Sequence, residues 1–225
     1  MTILLRALVI AGCFLLAMAT AAAMLDVPTP SLRLADRVYG ELASSGVTHP
    51  VTAVLLNFRG YDTLLEIAVL LLALLGVLTA AGGAHMSVGR ARATVPRFLP
   101  AVVRLLAPLM ILVAGYLLWA GSHSPGGAFQ AGAVLAAGIV LASLACLLPE
   151  RIRIGNVLRA ALAGGFLVFL AVAAAGLFNG ALLQYPVAYA GLLILLVETG
   201  LTLSLGVILA SLFVALPDEN SEEKE

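Results

Sequence analysis

Long apolar runs separated by short polar islands dominate this chain. They cover Leu4–Leu25, Thr63–Ala81, Pro100–Ala120, Ala128–Leu148, Leu158–Phe178 and Ala188–Leu216, with few charges inside them. A helix rises ~1.5 Å per residue and a hydrocarbon core is about 30 Å thick, so each run is near or above spanning length. The pattern predicts an all-α integral membrane protein with about six transmembrane helices. The last run is long enough to tilt.

Two stretches depart from plain spans. Val51–Ala81 would measure about 46 Å as one helix, and it carries Asn57-Phe-Arg-Gly-Tyr-Asp in its middle. A break at Gly60 divides it into an entry segment, Val51–Phe58, and the second span. Upstream, Asp26 and two prolines end the first span. Ser31–Gly46 then places Leu32, Leu34, Val38 and Leu42 on one face, with Arg33, Asp36, Arg37 and Glu41 filling the others. This reads as a short amphipathic helix at the membrane surface or on a partner, with Ser31 as its cap.

Composition agrees with a membrane location. Hydrophobic residues make up 62% and charged residues 11%, where soluble domains carry about 25% charged residues. A net charge of zero argues against nucleic acid as a partner. The connections Gly82–Leu99 and Pro149–Arg159 are basic, while the turns Gly121–Gly126 and Asn179–Pro186 are uncharged. By the positive-inside rule the basic connections are cytoplasmic, and both termini follow them. Ala7–Ala23 behind Arg6 also fits a cleavable secretory signal; the expectation adopted is a retained span. Pro217–Glu225 is expected to be an acidic, disordered tail.

Candidate chemistry is sparse. Glu198 lies near the middle of an apolar run, where an ionised carboxylate is expensive, and Thr202 four residues later shares its face. Glu198 is either a proton- or cation-exchanging group or a structural hydrogen-bond partner of a neighbouring helix or subunit. Arg59, Asp62 and Glu66 follow one another at helical spacings of three and four. They would form a polar stripe entering the membrane if helix runs through Gly60. His123, in the glycine-rich run Gly121–Gly132, can titrate near neutral pH or be an ordinary turn residue. Cys13 and Cys146 have no nearby His or Cys and read as small apolar residues. No metal site, cofactor or enzyme motif is expected. Small residues, among them Gly132, Ala136, Gly138, Gly164, Gly165 and Ala175, would allow helices to approach closely.

Two motifs carry a resemblance. The run through Gly121, His123, Pro125, Gly126, Gly127, Phe129 and Gly132 resembles the Gly-His-x-x-Pro-Gly-Gly-Gly-Phe-x-x-Gly signature of the B subunit of Mrp-type multisubunit cation/proton antiporters. A related loop occurs in membrane-bound hydrogenases. This chain departs from the signature at two places: His123 is two residues before Pro125 rather than three, and Ala128 stands at the third Gly. The run from Val51 through Arg59, Asp62 and Glu66 is similar to the Phe-Arg-Gly-Phe-Asp-Thr-Leu-Gly-Glu motif that ends the large A subunit. The same piece occurs as a small hydrogenase subunit related to respiratory complex I.

The resemblance implies a fusion: residues 1–90 as a two-helix A-tail-like segment, 91–216 as a four-helix B-like module, and 217–225 as the tail. It further implies a multi-pass subunit of a Na+/H+ antiporter in a bacterial or archaeal cell membrane. Its partners would be large antiporter-like subunits, small membrane subunits, lipid, Na+ and H+. Asp62, Glu66 and Glu198 match acids of these families, the first two at a subunit junction along an ion path. A membrane subunit of a redox-driven pump, such as a hydrogenase or a complex I-like assembly, is the first alternative. A purely structural scaffold is the second. The one lysine, Lys224, lies in the tail, so the chain is not expected to exchange ions alone.

Overall fold

The computed structural model describes residues 3–27, 33–80, 85–87, 95–149, 151–153, 155–180 and 182–214. It divides into two compact units, Met1–Arg37 and Val38–Glu225. The first holds α1, Ile3–Leu25, apolar on all sides from Ala7 onward and exposed throughout that stretch, as befits a segment surrounded by lipid or other protein. Ser31, the expected cap, and the tail Pro217–Glu225 lie outside the described residues, as does most of Gly82–Leu99.

Helix α2, Leu34–Glu41, is shorter than the expected amphipathic segment. A tighter turn of helix, Leu42–Ser45, continues it and ends at Gly46, whose φ of 74° favours glycine. The entry segment is real but irregular. Pro50 opens α3, Pro50–Ala53, and a wide π-type turn follows over Val54–Phe58. Helix resumes as α4, Gly60–Ala80. The break falls at Arg59, with φ −125° and ψ 31°, one residue before the expected position. The wide turn leaves carbonyls without their usual helical partner, and the Thr63 hydroxyl donates to one of them, Leu55 O, at 2.6 Å.

The remaining helices are α5, Leu99–Ala120, α6, Ala128–Leu144, α7, Asn156–Ala175, and α8, Val187–Val214. A 3-10 turn, Gly176–Asn179, extends α7. Two three-residue strands, β1 (His85–Ser87) and β2 (Arg151–Arg153), pair antiparallel with His85 opposite Arg153. Among the described residues five helices are long and apolar enough to cross a membrane, α1, α4, α5, α7 and α8. The expected fourth span is the exception. It stops at Leu144 rather than Leu148, leaving 17 residues, about 25 Å. Cys146, at φ 55°, turns the chain away before Pro149.

Helix α8 is the centre of the second unit, packed chiefly against α6 and α7. Ile194, Val197, Leu201, Leu205 and Ile208 on it are all buried. Between membrane helices apolar side chains gain little by leaving lipid, so close contact and hydrogen bonds carry the packing. Both occur here. A Cβ on Gly132 would lie 2.8 Å from Leu205 Cβ, and one on Gly165 would lie 2.6 Å from Gly200 O and Ser204 Cβ. The Ser204 hydroxyl donates to Leu162 O at 2.5 Å. Gly164, expected among the contact residues, has nothing within 4 Å of its Cβ position; the helix presents Gly165 to α8 instead. Helix α4, grouped by sequence with the first span, packs on α7 and α8 inside this unit. Its buried face is Gly60, Thr63, Ile67 and Leu74.

Candidate functional site

The Glu198 side chain is only 4% exposed. It reaches from α8 to the start of α6, where the Ala128 N–H donates to its carboxylate. The first N–H groups of a helix lack intrahelical partners and carry its partial positive charge, so a carboxylate is well matched there. The approach depends on glycine. Gly127 has φ 107°, and a Cβ on it would stand 2.7 Å from Glu198 Oε1; one on Gly121 would stand 3.3 Å from the same atom. The other carboxylate oxygen, Oε2, is buried without a hydrogen-bond partner among the described residues.

A second contact ties the glycine run to the entry segment. The Thr52 hydroxyl donates to Gly121 O. The N–H groups of Thr48 and His49 and the Thr48 hydroxyl all donate to Ser122 O, at 3.1–3.3 Å. Gly127 N–H donates to Leu117 O at 2.8 Å, folding the run back on the end of α5. The turn expected outside the membrane is therefore covered. Gly121, Gly127 and Ala128 are buried beneath residues of the segment before α4.

Between the two lies a small cavity of about 30 Å³, above the 10–15 Å³ or so that one water needs. Val51, Thr52, Leu55, Leu56 and Thr63 form one side; Gly126–Gln130, Glu198 and Leu201 form the other. Glu198 is the sole ionisable side chain among these residues. Thr52 and Thr63 are the site residues that sequence reading missed, although both stand inside or beside the motif that it singled out.

The other expected site residues are placed elsewhere. Thr202 is buried, but its hydroxyl donates to the backbone carbonyl of Glu198 at 2.7 Å, a bond within the helix, so it does not serve the carboxylate. Arg59 and Asp62 form an ion pair with side chains 70% and 48% exposed. Glu66 is exposed on the same side of α4, away from its buried face. The helix break at Arg59 leaves only Asp62 and Glu66 on α4, and these exposed acids line no wall of the Glu198 cavity. His123 is exposed as well, edge-on to Trp119 with ring centroids 4.6 Å apart and its Nδ1 2.9 Å from Ser122 Oγ. It borders a separate open cleft with Gly46, Thr48 and Leu195. Pro125 is exposed, Phe129 packs on the core and Gly132 on α8. Among the described residues no group of three His, Cys, Asp or Glu could hold a metal ion. Tyr185 Oη is the other buried side-chain polar atom without a partner among the described residues. Burial pushes its phenol up to about 12, and it is not part of the cavity wall.

The fold has relatives among solved structures. A chain of the Mrp complex from Dietzia sp. DQ12-45-1b superposes with a TM-score of 0.71 at 24% identity, over 99% of this chain and 27% of that one. This chain thus spans about a quarter of that relative's length. A chain of the membrane-bound sulfane sulfur reductase, an archaeal respiratory membrane complex, superposes with a TM-score of 0.70 at 22% identity, over 95% and 98% of the two chains. At these identities the likeness is one of fold. No curated protein matches the sequence. The model of the domain related to the MnhB subunit of Na+/H+ antiporters matches residues 98–216, the stretch that holds the glycine run and Glu198. With more than half of its length in that match, the chain belongs to the MnhB-related family, and it is a multi-pass membrane protein.

Proposed function

We propose that the chain is a membrane subunit of a multisubunit Na+/H+ antiporter, helping to form an ion path and to hold the complex together. The observation that carries this reading is the family match over the module in which α8 presents a buried carboxylate to the glycine run. An acid kept inside a membrane bundle marks an ion or proton pathway more often than packing. Asp62 and Glu66, exposed on α4, belong by this reading to a junction with another subunit, since a carboxylate facing lipid is costly. The fold is equally that of a respiratory complex chain, but the family match favours the antiporter. Deleting the chain from its complex should abolish Na+-driven proton movement in everted vesicles, and restoring it should restore exchange. Exchange that persists without the chain contradicts the reading. A purified complex showing iron–sulfur absorbance would indicate the redox-driven alternative.

A further inference from the structure

The cavity below the glycine run has a chemical bias that its size alone does not reveal. A hydroxyl has one proton to donate and two lone pairs to accept with. Thr52 spends its proton on Gly121 O and Thr63 spends its own on Leu55 O. Both hydroxyl oxygens are left with acceptor capacity only. Glu198 Oε2 is a third acceptor, buried and unpartnered. Of the polar side chains in the wall, only the exposed Gln130 retains a donor. Three inward acceptors of this kind suit a ligand that brings positive charge or protons.

The charge balance narrows the ligand further. A lone ionised carboxylate in an apolar bundle must be neutralised or paired. Among the described residues no cationic side chain lines the cavity. Among the described residues α6 carries no ionisable group, and α8 carries Glu198 and, in its first turn, the exposed Tyr189. On the neighbouring elements, Asp62 is paired with Arg59 and exposed, Tyr61, Glu66 and His123 are exposed, and His49 is half-buried outside the cavity wall; α5 carries Arg104 and the exposed Tyr116, and α7 carries Arg159. One negative charge balances one positive charge. Divalent sites collect several oxygen ligands that commonly include more than one carboxylate, and among the described residues this wall has one, Glu198.

We propose that this cavity is a single-occupancy site where Glu198 holds either a proton or one dehydrated monovalent cation, with the Thr52 and Thr63 hydroxyl oxygens as supporting ligands. The proposal deepens the antiporter reading and rests on it. Mutual exclusion follows from the charge balance: the cavity wall offers one carboxylate, which carries one charge. Gly121 and Gly127 are positioning residues, which let the carboxylate sit against the backbone between the two halves of the site.

Carbodiimides add to a protonated carboxyl, whereas a carboxylate occupied by a cation is spared. The intact complex in membranes is treated with a fluorescent carbodiimide in choline chloride and in NaCl, LiCl and KCl of equal ionic strength, and label on the Glu198 peptide is quantified. Glu198 is expected to label in choline. Na+ should slow labelling, by roughly tenfold at ten times its half-protecting concentration, as simple competition requires. Thr52→Val should raise the half-protecting concentration, measured relative to that variant's own labelling in choline, and Thr52→Ser should retain protection. Absence of label at Glu198, equal labelling in all four salts, or protection unaffected by Thr52→Val overturns the site. Because the wild-type salt comparison is decisive by itself, a Thr52→Val complex that fails to assemble does not rescue the proposal. A wild-type complex that is labelled and protected yet exchanges no ions keeps the site and overturns the antiporter reading.

Discussion

Glu198 on α8 and Gly127 before α6 are fitted to one another: a Cβ on Gly127 would stand 2.7 Å from Glu198 Oε1. The glycine run is thus a seat for the acid of the last helix as well as a turn between α5 and α6. Gly127→Ala adds that Cβ at φ 107°, a backbone region costing roughly 1–3 kcal/mol for a residue with a side chain. The variant should lower the thermal midpoint of the complex and impair exchange together. A Gly127→Ala complex with wild-type stability and exchange would refute the seat.

Neighbouring glycines on α7 separate packing from composition. Gly165→Leu forces a side chain into Gly200 O and Ser204 of α8, whereas Gly164 faces open space in this chain. Gly165→Leu should break α7 from α8 and deplete the assembled complex in native gels. Gly164→Leu should be tolerated unless another subunit covers that side, in which case the partner is lost while the chain itself remains folded. Ser204→Ala, removing the bond to Leu162 O, should cost about 1 kcal/mol.

Tyr185 offers a pH test away from the spanning helices. Its hydroxyl is buried without a partner among the described residues, and its phenol is pushed up from 10.0 to about 12. The folded chain therefore holds the neutral phenol more tightly than the unfolded chain does. This contribution is complete below pH 10 and is lost as pH rises towards about 12. Tyr185→Phe, which deletes an orphaned donor, should raise the thermal midpoint near neutral pH and flatten the alkaline decline. A variant that is less stable at pH 8 would mean the hydroxyl has a partner in the complex.

Orientation is tested by Cys146, exposed just after α6 and before the basic strand β2. With Cys13 replaced by Ala, a membrane-impermeant maleimide should label Cys146 in everted vesicles and leave it unlabelled in intact cells. Labelling from the outside would invert the topology drawn from the basic connections.

What the sequence made legible followed periodicity and cost. Apolar length located α4, α5, α7 and α8, because a helix that must cross lipid needs its length written in consecutive residues. The cost of a charge in that setting singled out Glu198. Its surroundings were not legible, because no helical spacing relates Glu198 to Gly121 or Ala128, or to Thr52 across the cavity. The wide turn at Val54–Phe58 was hidden for a similar reason: its residues are ordinary helix formers, and the Thr63 bond that supports it is tertiary. Thr202 and the Asp62–Glu66 stripe show the converse. Helical spacing placed Thr202 beside Glu198 and Asp62 beside Glu66 correctly, yet it could not say that Thr202 bonds the backbone or that the stripe faces outward.

The most direct measurement is Na+/H+ exchange in everted vesicles carrying the complete complex with Glu198→Gln, beside wild type and with assembly verified by native electrophoresis. The amide matches the carboxylate in size but can neither release a proton nor balance a cation. Assembly at wild-type levels with exchange abolished or strongly reduced is the expected result. Assembly with unchanged exchange would contradict an ion-handling role for Glu198 and leave it a packing residue of α8.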